Sequence, residues 1–300
     1  MEPRSEIPGD KSRVSLVIVW FLFLAAVLSV CARLGTKYGM ARRLAADDVL
    51  IIIAQATSLA QCIAISFGAK SGLGASMNDL SSGQVDEVLK AEYASTPFLL
   101  LTLALVKWSI CVFINQLSPN AIHRHVDLAF RLTIGLWLVS ATVISVFQCG
   151  LPKPWDYIHR NSCTDRRSWC TYASVLNMIT ELGFVFLYVW IIGRLHISVL
   201  KRTTVLLVFL TRLFVIGAAA AQLAIFWIAY SNPDITAGLW LPTVCNQVVV
   251  LLSVLTACLP YLRPLMESLE SGIVHVPDEV EELRSFARAG SRSTWPSTPS

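Results

Sequence analysis

The chain alternates long apolar runs with short polar connections, and the apolar runs are helix-length rather than strand-length. A hydrocarbon core about 30 Å thick needs roughly 20 apolar residues of helix to cross it. Seven runs meet that length: Val14–Leu34, Asp48–Ala69, Tyr93–Leu117, Leu128–Cys149, Thr171–Arg194, Thr203–Tyr230 and Thr236–Leu262. The pattern predicts an all-α, seven-helix transmembrane bundle, with longer loops only at 70–92 and 150–170. It divides the chain into a short N-terminal segment (1–13), a seven-span domain (14–265) and a polar tail (266–300) that ends in a Ser/Thr/Pro-rich stretch expected to be disordered.

Composition agrees with lipid as the solvent. The 300 residues are 55% hydrophobic and 15% charged, against about 25% charged in a soluble domain. The net charge of +4 comes from basic residues lying mostly between spans, so it bears on membrane orientation and gives no reason to expect a nucleic-acid partner. The first run follows Arg4, Lys11 and Arg13 but is longer than a signal-peptide core of 7–15 residues, so it reads as a retained span.

Seven spans put the two termini on opposite faces. Basic residues do not choose between the two orientations, because they divide evenly between the faces. Cysteines do choose. Cys149, Cys163 and Cys170 cluster on or beside the 150–170 loop, where thiols pair only on an oxidising face. That loop and the N-terminus are therefore expected outside and the tail in the cytosol, in the plasma membrane or an endomembrane. Trp155, Tyr157, Trp169 and Tyr230 are expected as anchors at the outer interface, and Tyr261 at the inner one.

Charges within spans are costly and mark function or packing. Lys107 lies in the third span, Glu181 in the fifth and Arg212 in the sixth. Helical rise places Lys107 and Glu181 about 5 Å apart in depth, within reach of a long side chain. Arg212 is expected to snorkel to the inner face. The pair reads either as part of a ligand pocket or switch, or as a structural ion pair fixing helix register. Asn177 precedes Glu181 by four residues and shares its face. Asp47 and Asp48 open the second span, where capping of the helix N-terminus is a sufficient role. Gln55, Ser58 and Cys62 form a polar stripe expected to face the bundle. Gly217 and Ala221 form a small-residue pair expected at a close helix contact.

Several chemistries lack their sequence signatures. The seventh span has no lysine for a retinal Schiff base, so no cofactor is expected. HExxH, P-loop, GxSxG and paired CxxC motifs are missing. His123 and His125 lack a third ligand, so no metal is expected either.

Several motifs recur in an order met elsewhere. Arg43-Leu44-Ala45-Ala46-Asp47-Asp48 precedes the second span, and Lys107-Trp108-Ser109 lies in the third. Phe147-Gln148-Cys149-Gly150-Leu151-Pro152 is followed by Trp155 and Cys163. Asn177 and Leu259-Pro260-Tyr261-Leu262-Arg263-Pro264-Leu265 complete the set. In these the chain resembles the fungal rhodopsin-like integral membrane family over about residues 14–272, without the extracellular cysteine-rich domain that related receptor-like proteins carry. The resemblance implies a rhodopsin-like bundle and a multi-pass membrane location. Cys149 and Cys163 are the candidate disulfide, with Cys170 as the alternative partner. The chain departs from the family pattern in having Glu181 where an Asp is usual, and Asn115-Gln116 where an Arg is common.

Three functions stay open at this point. One is a receptor-like protein sensing a small or lipophilic ligand and signalling to a cytosolic partner. The second is a membrane enzyme or accessory factor acting on a lipophilic secondary metabolite, with Glu181 as acid or base. The third is a transporter. Tags on the two ends of the chain are expected to be accessible from opposite faces of sealed vesicles; labelling of both from one face would contradict the seven-span count.

Overall fold

The computed structural model describes residues 9–41, 45–117, 121–150, 152–158, 163–194, 211–231 and 234–270. Among the described residues, seven helices are long and apolar enough to cross a membrane. They are α1 (Gly9–Ala41), α2 (Ala46–Lys70), α3 (Ser82–Leu117), α4 (Ala121–Val146), α5 (Arg166–Arg194), α6 (Arg212–Ala229) and α7 (Trp240–Glu270). By contacts the chain divides into Met1–Tyr261, which holds the bundle, and Leu262–Ser300, which is helical as far as Glu270. The expected start of the sixth span at Thr203–Leu210, the tail beyond Glu270, Arg43 and the side chain of His123 lie outside the described residues.

Helix is the form that satisfies every backbone group within a single segment in lipid. The outward faces are apolar for the same reason: Val17, Phe21, Leu24 and Leu28 of α1, and Leu128, Leu132, Leu136 and Val139 of α4, are all exposed. The stripe on α2 turns inward as expected, with Ser58 and Cys62 buried and Gln55 half-buried. Gly217 and Ala221 instead face outward, with open space around Gly217, so they make no close helix contact among the described residues.

The first five helices begin earlier than hydropathy predicts. The third starts at Ser82 rather than Tyr93, so much of the expected 70–92 loop is helical. The cause is local. Gln84 accepts the Ser81 backbone N–H at 2.9 Å while Ser81 Oγ accepts the Gln84 N–H at 3.4 Å, a reciprocal cap. Val85, Val88 and Leu89 then bury one face of the added turns. The first helix likewise starts at Gly9, inside the expected polar segment, and Ser12 donates to the Ala69 carbonyl at 2.6 Å. Span four stops at Val146, short of Cys149. What remains of the 70–92 loop turns at Gly72 and Gly74, both with positive φ. Its Gly74 N–H meets the Thr236 carbonyl at 3.2 Å, beside a helical turn at Ile235–Gly238 that precedes α7.

Contacts show which helix ends lie together. Ser12, Ala69, the start of α3, the end of α4 and the start of α5 share one end, where Cys149 and Cys163 form a disulfide. Arg33, Asp47, Asp48, Ser109 and Tyr261 share the other. Close packing is visible at Gly68 of α2, where an added Cβ would sit 2.9 Å from Ala91 Cβ of α3.

The end opposite the disulfide is tied by buried charge. Arg33 is 1% exposed, donates to Asp47 at 2.6 Å and reaches Asp48 at 3.4 Å. It also donates to the Ala257 carbonyl of α7 at 3.0 Å. Lys37 bonds both carboxylates, at 2.9 and 2.6 Å. The Tyr261 hydroxyl donates to Asp47 at 2.6 Å, and Ser109 of α3 donates to the Asp47 carbonyl at 2.9 Å. Two carboxylates face two cations, so the cluster is neutral as a unit. Asp48 does cap the Ala45 N–H at 2.9 Å. The local role expected of the two aspartates is therefore incomplete: they join α1, α2, α3 and α7. Tyr261, expected at the interface, is drawn inward by Asp47. Arg33→Met leaves two buried carboxylates with one lysine, and removing one partner of a buried pair costs about 3–5 kcal/mol. A large fall in Tm in detergent is expected; an unchanged Tm would show that the cluster is hydrated and energetically idle.

Candidate functional site

A cavity of about 70 Å³ lies in the half of the bundle nearer the disulfide. That is room for roughly five waters, or one small ligand. It is walled by α2, α3, α4, α5, α6 and α7, with Leu99, Leu103, Trp137, Trp169 and Phe226 among the apolar lining. On α3 its lining runs to both sides of Pro97, whose ring nitrogen cannot donate to the Tyr93 carbonyl. Both indole N–H groups are already used: Trp137 donates to the Ala173 carbonyl at 3.1 Å and Trp169 to the Ala141 carbonyl at 3.0 Å. The two tryptophans therefore offer the cavity only apolar ring surface.

The roof is ionic. Arg166, at the start of α5, is held there by a helix cap in which Asp165 accepts the Ser168 hydroxyl at 2.7 Å and the Ser168 and Arg167 N–H groups. The Ser168 hydroxyl holds the Asp165 carboxyl below its usual range, which keeps the cap charged. Arg166 pairs closely with Glu92 of α3 and donates to Gln148 Oε1 at 2.9 Å. Tyr157 donates to the other oxygen of Glu92, Oε2, at 2.9 Å, and Tyr230 shares Oε1 with Arg166 at 3.1 Å. The Arg166 guanidinium lies 4.6 Å from the Tyr157 ring centre. Burial pushes the Tyr157 phenol up from its ordinary value, so it stays a donor at neutral pH. Thr164 N–H to the Gln148 carbonyl at 2.8 Å, together with the Cys149–Cys163 disulfide, fixes the strap that carries Tyr157 and Gln148. Cys170 is free, buried and part of the cavity wall.

The floor is polar. Asn177 is 4% exposed and lines the cavity, and its side-chain Oδ1 has no hydrogen-bond partner among the described residues. Gln222 donates to Asn246, so Asn246 Oδ1 is taken. Beneath Asn177 lies a buried ionic triad. Lys107 of α3 donates to the Asn177 carbonyl at 3.1 Å and to Thr180 Oγ1, and approaches Glu181 at 3.5 Å. Arg212 of α6 donates to the same carboxylate at 2.7 Å. Lys107, Glu181 and Arg212 are each 1% exposed. Arg212 does not snorkel: Glu181 holds it inside, with its guanidinium 5.4 Å from the Phe184 ring. One carboxylate faces two cations.

A family model for the fungal rhodopsin domain matches residues 32–268. The chain belongs to the fungal rhodopsin family. No curated protein and no solved structure matches it.

In this fungal rhodopsin domain, the intramembrane residues singled out by sequence come together: Lys107, Glu181 and Arg212 form one cluster and Asn177 joins it to the cavity. Asp47 and Asp48 stand apart, at the end opposite the disulfide. Sequence reading missed Arg33, which lies at the very end of the first apolar run, and missed the roof pair Glu92–Arg166 because it placed both residues in loops. The one available signal was the Ser81–Gln84 cap, which extends α3 past Glu92. Trp169 and Tyr230, expected at the lipid interface, turn inward because the Ala141 carbonyl and Glu92 accept their donors.

The triad predicts an asymmetry. Glu181→Gln strands two buried cations and should cost about 3–5 kcal/mol. Lys107→Met leaves Glu181 and Arg212 paired one to one and should cost less than half as much. Folded yield and Tm in detergent measure both variants. Equal losses would contradict this division of charge.

Proposed function

We propose that this membrane protein is receptor-like: it binds a small molecule in the cavity near the disulfide and passes the event to the opposite end of α6. One observation carries this reading. Asn177 lines the cavity while its carbonyl holds Lys107, which shares Glu181 with Arg212 at the start of α6. A molecule that shifts Asn177 therefore perturbs the charge balance holding α6 to α5. The cavity and the triad touch through Asn177 and through Trp137, whose ring centre lies 5.3 Å from Lys107 Nζ.

Glu181 does not line the cavity, and Arg212 and Lys107 engage its carboxylate. This favours sensing over the reading that makes Glu181 a general acid or base. The disulfide supports placing that end of the bundle, and the N-terminus with it, on an oxidising face. The tail then lies in the cytosol, where a signalling partner would act.

Filling the cavity substitutes for a ligand. Leu103→Trp should alter amide exchange across residues 211–220 of the lipid-reconstituted protein, and Lys107→Met in the same background should abolish that change. Exchange at 211–220 indifferent to Leu103→Trp would contradict the coupling.

A further inference from the structure

On the outer surface of the bundle, α2 and α3 enclose a groove of about 750 Å³ at the disulfide end, a size within the range of about 300–1,000 Å³ typical of small-molecule sites. Four small residues line it, Ala60 and Ala64 of α2 and Ala91 and Ala94 of α3. The two helices approach closely at this level because Gly68 has no side chain to strike Ala91. Ile63, Phe67 and Phe98 also line the groove and are exposed, so it opens towards lipid. Ala60 lies ten residues from Lys70, and Phe98 eleven from Glu87. The groove therefore runs about 15–16 Å along the helices. Half of a hydrocarbon core about 30 Å thick is the same length.

One end of the groove is polar, where Lys70 closes α2 and Ser71, Glu87 and Lys90 stand beside it. The Lys90 ammonium lies 5.1 Å from the Trp155 ring centre, an aromatic anchor of the kind found at headgroup level. Lys90 is already engaged with Asp86 at 2.7 Å. Lys70 pairs with no carboxylate among the described residues, and its ammonium lies 5.8 Å from the Phe67 ring centre. Ser71, next to Lys70 in the chain, donates to Glu87 Oε2 at 2.6 Å and so holds that carboxylate at the same end. A lone cation and a half-used carboxylate thus stand where the apolar trough meets the headgroups. A sterol-type hydroxyl would answer neither charge. An anionic phosphate would answer Lys70 but meet repulsion from Glu87. A head carrying both a phosphate and a primary ammonium answers both, and its N–H groups donate charge-assisted hydrogen bonds that a quaternary ammonium cannot.

We infer that this groove binds one phospholipid of the surrounding bilayer, with an acyl chain laid over the alanines, its phosphate on Lys70 and the primary ammonium of its head on Glu87. The site is separate from the cavity within the bundle, and nothing in it depends on what that cavity holds. Ala91 borders both. The alanine trough supplies affinity for any acyl chain, and the two charges choose the head.

A matched lipid series tests this: phosphatidylethanolamine, phosphatidylcholine and phosphatidylglycerol with identical chains, titrated against the full chain in neutral detergent and read by native mass spectrometry. Phosphatidylethanolamine should fill one saturable site and bind about threefold more tightly than either of the others, the value of one exposed ion pair. Lys70→Ala should weaken all three about threefold, since all carry the phosphate. Glu87→Gln, which can still accept from Ser71, should erase the preference over phosphatidylglycerol. Ala94→Leu fills the groove and should abolish the saturable site for all three lipids. Lys70, Glu87 and Ala94 are exposed, so these changes leave the fold intact. Equal binding of the three lipids to the unmodified chain would overturn the inference. So would a preference unmoved by Glu87→Gln, or a saturable site that survives Ala94→Leu. Loss of a dimer instead of a lipid in Ala94→Leu would give the groove to a second copy of the chain and overturn it as well.

Discussion

A charge within hydrocarbon must find its partner inside the protein, and that requirement organises this bundle. The cost of an unpaired ion at bilayer depth is several kcal/mol, comparable with the whole stability of a typical domain. Asp127 pairs with Arg131 on its own helix, but the other buried ions are answered from another helix. Arg33 of α1 meets Asp47 and Asp48 of α2, Arg166 of α5 meets Glu92 of α3, and Glu181 of α5 meets Lys107 of α3 and Arg212 of α6. Apolar side chains cannot set register in lipid, because tails and leucines are equally apolar. Ion pairs fix partner and depth together.

The same constraint explains where the cavity lies. Two clusters, at the roof and the floor, hold α3 and α5 at levels separated by about fifteen helical residues, or about 22 Å. Between them the helices need only apolar contact, and Pro97 removes one backbone bond from α3 in that interval. The roof and the inner cluster are neutral as units. The floor carries an excess cation, so a change at Asn177 is felt there as electrostatics and at α6 as a change in what holds Arg212. In a dry interior, such a shift has a longer reach than it would in water.

Much of the fold was legible in the sequence because hydropathy is a one-dimensional property of lipid-facing helices. Seven runs gave seven helices. What hydropathy could not show was the amphipathic extension of α3, where polar residues such as Gln84 and Glu92 alternate with Val85, Val88 and Leu89; the Ser81–Gln84 cap was the readable cue. Lys107, Glu181 and Arg212 stood out as charges in apolar runs, and helical rise brought the first two to similar depth. The partner of Arg212 was not legible, because snorkelling and pairing give the same sequence pattern. Arg33 was hidden for a related reason: it ends an apolar run, and only the fold shows that Asp47, Asp48 and Tyr261 close over it. The cavity depends on which donors are already spent, which no linear pattern records.

The central claim is that buried charges on different helices act as pairs. A double-mutant cycle on Glu181→Gln and Arg212→Met, read as unfolding free energy in a lipid bilayer, tests it most directly. The account predicts strong coupling, with the double variant recovering a large part of what each single change loses. Losses that simply add would mean that the two groups do not pair in the membrane, and the link from cavity to α6 would go with them.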